Sequence, residues 1–287
     1  MSTSKKTTKL TIPHPDEEGV AIVGTLEQVA PEEPTQGRGI AFILHGTMGH
    51  KDYLFQKPLA QKLPIDSFRL DFRGNHESNG EWRVGGFVHD TRDIDVALEY
   101  LKKHYGYTLS LIVGHSRGSI SGFRWICTRE EGKAVRGFVN ISGRYRMEKG
   151  RDNATPYQRE LDSQGWYEVK ATVARKPFVG RVTKDNLEEF TTFDSSYVWD
   201  RFPNSTHALS IHGLSDQRVP PYDATIYARA LGTRTPGTHN LYLVEDADHN
   251  FKEKHHIIVD TILEWWDLIE RNRLKTGVWH TGFRGKL

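Results

Sequence analysis

The sequence predicts an α/β fold with a mostly parallel central sheet and helices on both of its faces. Three observations carry that expectation. Short apolar runs such as IAFILHG (40–46), LSLIVG (109–114) and VRGFVNISG (135–143) end in glycine, as strands buried on both faces do. Other segments repeat apolar residues at helical spacing: Ile94, Leu98, Leu101 and Tyr105 in one, Ile258, Ile262, Trp265 and Ile269 in another. The two kinds of segment alternate along the chain, and alternation of that kind implies parallel strands joined by crossovers.

Taken in order, residues 1–18 are polar and read as extended or frayed chain. GVAIVGTLE (19–27) reads as a strand, and APEEPTQGRG (30–39) as a turn-rich loop. The strand at 40–46 is followed by a helical stretch through Leu59 and Leu63, then by the strand FRLDFRG (68–74). A helix runs from Phe87 to Tyr105. The strand 109–114 leads into a helix from Ser116 to about Arg129, and 135–143 is again a strand. HALSIHG (207–213), a helix near 221–231, HNLYLVED (239–246) and a last helix complete the pattern. Residues 144–206 break it. They are too long for a simple loop, and their charged and aromatic composition reads as a mostly helical insertion over one end of the sheet. The core is then 19–143 with 207–272, the insertion a cap, and 273–287 a C-terminal tail.

Composition narrows the function classes. In 287 residues, 39 lysines and arginines stand against 37 acidic residues, a formal net charge of +2. The charges are interspersed, which argues against general attraction to nucleic acid or to an anionic membrane. A single cysteine, Cys127, cannot form an intramolecular disulfide. MSTSKKTTKLTIPHP has no apolar core of a secretory signal, and no apolar run approaches the ~20 residues of a membrane span. The expected location is the cytoplasm, although the final GKL is a weak variant of a peroxisomal address.

Chemistry-bearing residues fall where strands end, which is where open α/β sheets bind ligands. GHSRG (114–118) has the Gly-x-Ser-x-Gly form of a nucleophile elbow, a sharp strand-to-helix turn that needs small residues two places either side of the serine. A serine hydroxyl needs a base, and the base an orienting acid. His249, in VEDADHNF (244–251), follows the last strand, and Asp216, in HGLSDQRVP (212–220), follows the strand before it. The alternative readings are a helix-capping serine, a turn-forming aspartate and a surface histidine. Glu245, Asp246 and Asp248 are rival acids, but they lie very close in sequence to His249. A tetrahedral intermediate also needs hydrogen-bond donors, and the backbone N–H groups of Thr47, in HGTMGHK (45–51), and of Arg117 are the candidates.

Together HGTMGHK, DFRGNHESNG, GHSRG, HGLSDQRVP and EDADHNF resemble the α/β-hydrolase superfamily over roughly residues 20–272. Within it, the chain resembles the serine-hydrolase branch of cinnamoyl (feruloyl) esterases, monoacylglycerol-lipase-like enzymes and serine aminopeptidase-type proteins. The resemblance implies the α/β-hydrolase fold with a cap, Ser116 as nucleophile, His249 as base, Asp216 as acid, and Thr47 and Arg117 at the two oxyanion positions. It also implies a carboxylesterase-like activity on a small or medium acyl or aryl ester through an acyl-enzyme. Peptidase, lipase, thioesterase or acyltransferase chemistry on the same triad, or a non-catalytic receptor of this fold, are the alternatives. Arg117 departs from the usual Gln, Met or Gly, and Asn75-His76 from the usual His-Gly. No metal or organic cofactor is expected, since the histidines offer no His-x-x-x-His pair. Substrate contacts are not legible. Aromatic residues from Tyr145 to Trp199 line a pocket or anchor the cap, and Arg144, Arg146, Lys149 and Arg151 meet an acidic substrate or form a solvated face.

Overall fold

Residues 5–280 are described by the structure, a computed structural model of the chain. Nine strands form one sheet among these residues. In chain order they are β1 (Lys6–Pro13), β2 (Ala21–Gln28), β3 (Gly39–Leu44), β4 (Asp66–Leu70), β5 (Thr108–His115), β6 (Gly137–Ile141), then β9 (His207–Gly213), β10 (His239–Val244) and β11 (Gly277–His280). The spatial order is β1-β2-β4-β3-β5-β6-β9-β10-β11. Only the pairings β1–β2 and β2–β4 are antiparallel.

Burial along the central strands explains their continuous apolar runs. In β3, Ile40, Phe42 and Leu44 enter one core layer while Ala41 and Ile43 enter the other. β6 divides in the same way, with Phe138 on one side and Val139 and Ile141 on the other. The helices α2 (Phe87–Tyr105), α3 (Arg117–Thr128) and α7 (Tyr222–Leu231) cover the first face. The second is covered by α1 (Gln56–Lys62) and α8 (His255–Glu270), whose Trp265 and Trp266 are fully buried. This is the α/β-hydrolase arrangement that the sequence predicts, and it gathers the loops after β3, β4, β5, β6, β9 and β10 at the carboxyl end of the parallel strands.

Three expectations change. Residues 6–13 are an edge strand paired with β2 from Lys6↔Gln28 to Pro13↔Ala21, because Leu10 and Ile12 alternate with exposed neighbours and reach the core. The cap is not mostly helical. Beyond a run of 3-10 turns at 147–157 and α4 (Gln158–Gln164), it forms an antiparallel hairpin of β7 (Trp166–Val173) and β8 (Lys176–Thr183), then α5 (Lys184–Thr191) and α6 (Tyr197–Asp200). The expected tail contains β11, which adds a parallel strand beside β10. The terminal GKL lies outside the described residues. No helix of the described residues is long and apolar enough to cross a membrane.

Most cap aromatics anchor it. Phe190 and Phe193 pack on Phe87, and Phe178 meets Trp82 edge-on, while Tyr157 and Tyr167, both within the insertion, stack on each other at 4.4 Å. Tyr197 packs against the main core.

Candidate active site

Ser116 occupies the single residue between the end of β5 and the start of α3, with φ 52° and ψ −114°. A left-handed φ at a non-glycine residue costs ~1–3 kcal/mol and persists only where its surroundings impose it. Here the imposing contacts are visible. The Ser116 N–H donates to Ile141 O at 2.7 Å, tying the turn to β6. A Cβ at Gly114 would lie 2.5 Å from Gly118 O and Ser119 N, and a Cβ at Gly118 would lie 2.5 Å from Leu44 O. The two glycines let the turn close on itself and let α3 lie against the end of β3.

The three side chains that the sequence singles out meet in one line. His249 Nε2 lies 3.0 Å from Ser116 Oγ, and His249 Nδ1 lies 2.7 Å from Asp216 Oδ2. This network assigns the Nδ1–H tautomer to His249: Nδ1–H donates to the carboxylate and Nε2 accepts from the serine hydroxyl. Asp216 is almost fully buried. Burial alone would raise its pKa, but hydrogen bonds from His212 and His249, and from the Val219 N–H, hold it well below the ordinary carboxylate range. Its Oδ1 accepts from the N–H groups of Arg218 and Val219 at 2.8 and 2.9 Å, so the loop after β9 wraps the acid in place.

Two further histidines, invisible as site residues in the sequence, support this line. His212 Nε2–H is shared between Val219 O at 2.9 Å and Asp216 Oδ2 at 3.2 Å. His115 Nε2–H donates to the carbonyl of His249 at 3.0 Å, fixing the His249 loop to the elbow. Burial, reinforced by the nearby His249, pushes the His115 pKa down to about 3, so this ring stays neutral. His115 lies inside the elbow motif itself, but nothing in Gly-His-Ser distinguishes a bracing histidine from a filler.

The loop after β3 passes beside the elbow. A Cβ at Gly46 would come within 2.9 Å of the His115 ring and 3.3 Å of Ser116 Cβ, so a glycine is needed for this approach. Met48 in this loop has φ 52°. Among the described residues, the N–H groups of Thr47 and Arg117 have no protein acceptor, the condition expected of donors reserved for a ligand oxygen. His45 is buried beneath the loop, with Nδ1–H donating to Gly46 O at 2.7 Å and Nε2 accepting from the Phe72 N–H at 3.0 Å. Asp71 accepts from the Lys51 N–H and ammonium at 2.6 and 2.7 Å, bracing the far end.

The unusual Arg117 side chain turns away from the serine. Its guanidinium holds Asp90 of α2 through two bonds of 2.7 and 3.0 Å, and donates to the carbonyls of Arg83 and Val84 at 2.8 Å. Arg117 therefore links α3 to α2 and to the loop under the cap.

Asp71, His76 and Glu77 bring three ligand atoms close enough together to consider a cation. The Lys51 ammonium already bridges the two carboxylates, at 2.7 and 2.5 Å, and supplies the positive charge that a metal would bring. A cleft of about 440 Å³ lies elsewhere, between Gly74, Trp82, Phe178 and Arg181. None of the three aligned side chains lines it.

Residues 161–272 match the prolyl oligopeptidase family. An uncharacterized protein of Saccharomyces cerevisiae is 26% identical over 234 residues, 74% of this chain and 68% of that protein. Among solved structures, Est1E from Butyrivibrio proteoclasticus with ferulic acid bound superposes with a TM-score of 0.67 at 15% identity, over 91% of this chain and 99% of its own. A protein of unknown function from Agrobacterium tumefaciens, a candidate alpha/beta hydrolase, gives 0.65 at 17% identity, over 93% and 98%. The chain has the α/β-hydrolase fold.

Proposed function

We propose that this α/β-hydrolase-fold protein is a serine hydrolase that cleaves carboxylic esters through an acyl-enzyme on Ser116. The observation that carries the reading is the continuous hydrogen-bonded line Ser116 Oγ–His249–Asp216, at a strained elbow where two unpaired backbone N–H groups flank the serine. Each part has a step to perform. His249 Nε2 takes the hydroxyl proton as Ser116 Oγ attacks the carbonyl carbon. Asp216 holds the ring in the required tautomer and stabilises the imidazolium. The oxyanion forms against the N–H groups of Thr47 and Arg117. His249 then returns the proton to the leaving alcohol. Water, deprotonated by the same ring, attacks the acyl-enzyme and frees the acid. The ester preference draws on the likeness to Est1E, which is solved with ferulic acid bound.

A second reading is peptide or aminoacyl amide hydrolysis on the same three residues. The match of residues 161–272, which contain Asp216 and His249, to the prolyl oligopeptidase family favours it. One panel separates the two: nitrophenyl esters of graded chain length, feruloyl esters and aminoacyl anilides, each with native protein and Ser116→Ala. Ester turnover that Ser116→Ala abolishes supports the proposal. Turnover of anilides with esters left intact supports the peptidase. A folded native protein that neither turns over any of these nor labels with a fluorophosphonate contradicts both.

A further inference from the structure

The exit of β6 lies between the strands that lead to Ser116 and Asp216, since the sheet order there is β5-β6-β9. Ile141 O accepts from the Ser116 N–H, and the Ser142 N–H donates to Ile211 O of β9. Three residues past Ile141 stands Arg144, 6% exposed. An arginine buried to this degree is ordinarily matched by a carboxylate. Among the described residues Arg144 forms no such ion pair. Its one side-chain bond runs from Nη2 to the carbonyl of Arg218, in the loop that carries Asp216.

Asp223 and Asp216, the two acids that act on Arg144 most strongly, are already committed. Asp223 receives the Arg146 guanidinium at 2.6 Å and the N–H groups of Tyr145 and Arg146. Asp216 is saturated by His249, His212 and two backbone N–H groups. The Arg144 pKa is correspondingly lowered, chiefly by burial, and Asp223 and Asp216 offset this only in part. At the same strand end, the buried Ser142 hydroxyl has no hydrogen-bond partner among the described residues, and its backbone has φ 51°. Unpaired buried polar groups are rare enough to need an explanation. A hydroxyl with no partner and, two residues on, a cation with no carboxylate of its own, at the strand end between Ser116 and Asp216, make a recognition site the simplest one. Elsewhere in the basic cluster, Arg146 pairs with Asp223 and Arg151 with Glu188.

We infer that Arg144 is the specificity determinant of this site and that the substrate is an ester carrying a free carboxylate, which pairs with the Arg144 guanidinium while its ester carbonyl meets Ser116. The planar guanidinium fork can match a carboxylate through two parallel N–H···O bonds. A neutral ester lacks this contact and leaves the guanidinium with the Arg218 carbonyl alone. The inference rests on the serine-hydrolase reading for its chemistry, but the carboxylate site is testable without turnover.

The test uses monoethyl esters of the dicarboxylic acids from malonate to adipate and the corresponding diethyl esters, which are neutral. Binding is measured by calorimetry to the full chain carrying Ser116→Ala, and turnover by product analysis with the native protein. At least one monoester should bind 10-fold or more tightly than its diester. Arg144→Gln, placed in the Ser116→Ala chain, should remove that preference while leaving diester affinity within about twofold. Arg144→Lys keeps the charge but loses the fork and should retain part of the preference. It also serves as the reporter if Arg144→Gln does not fold. No preference for any monoester, or equal weakening of monoester and diester binding in Arg144→Gln, overturns the inference and leaves Arg144 as a brace for the acid loop. Preferential binding without turnover of any ester by the native protein instead upholds the carboxylate site and overturns the hydrolase reading.

Discussion

Gly118→Ala tests whether the elbow and the loop after β3 form one positioned unit. The added Cβ would lie 2.5 Å from Leu44 O, 2.7 Å from Leu44 C and 2.8 Å from His45 O. These are backbone atoms, so no side chain can swing aside. Reaching even a tight 3.0 Å separation requires about 0.5 Å of movement, and an ordinary 3.4 Å contact about 0.9 Å, estimated from overpacking of a close-packed interior. The atoms displaced lie two to three residues before Thr47, and Gly118 follows Arg117 directly. Both proposed oxyanion donors would therefore shift relative to Ser116 Oγ. Loss of one such donor typically slows reaction ~10²–10³-fold, and a misplacement near 1 Å costs about 10²-fold. Gly118→Ala should lower kcat for a neutral nitrophenyl ester by about 10²-fold with KM changed little. It should slow fluorophosphonate labelling comparably, and lower unfolding free energy by ~1–3 kcal/mol. Steady-state kinetics, with urea unfolding as the control for folding, reads all of these. A folded Gly118→Ala protein with native kcat would refute the argument that the glycine sets the relation between β3 and the elbow.

Three other perturbations follow from the same geometry. Asp216→Asn should leave the fold intact but favour the wrong His249 tautomer, reducing kcat by about 10⁴-fold; a loss under tenfold would contradict the role given to the acid. Arg117→Met leaves the Asp90 carboxylate buried without its cation and should cost ~3–5 kcal/mol in urea unfolding. Adding Asp90→Leu should recover most of that, and a single variant as stable as the native protein would mean that the pair is not a brace. His239 is buried against Ser210, 3.0 Å from its hydroxyl, and burial lowers its pKa to about 3. The unfolded chain binds this proton below about pH 6.5 and the folded chain does not, so His239 makes stability fall as pH drops from 6.5 toward 3, by up to ~1.4 kcal/mol per pH unit. His239→Gln should flatten that slope in urea unfolding between pH 4.5 and 7; an unchanged slope would contradict it.

The sheet and the reactive line were legible because each leaves a local signature. β3, β5, β6, β9 and β10 are continuous apolar runs, and Ser116, Asp216 and His249 each follow one of them. The hairpin β7–β8 was hidden for a physical reason. Tyr167, Val169, Ala171 and Val173 do alternate with polar residues, but the turn is Ala174-Arg175, at φ 47° and 67°, where the Asn-Gly or Asp-Gly that announces a two-residue turn is absent. β1 was missed because its inward positions are few, Leu10 and Ile12, in an otherwise polar segment. His212, Asp90 and Arg144 acquire their roles only in three dimensions. Nothing near Arg117 in the chain points to Asp90, 27 positions away, and nothing near Arg144 tells a charged surface residue from a buried one with no carboxylate partner.

The central claim is that Ser116 becomes covalently acylated. The most direct measurement is peptide mass spectrometry after rapid acid quench during ester turnover. An acyl mass increment is expected on the peptide containing Ser116 in the native protein, and none in Ser116→Ala or His249→Ala. An increment on any other residue, or ester turnover that persists in folded Ser116→Ala, would contradict it.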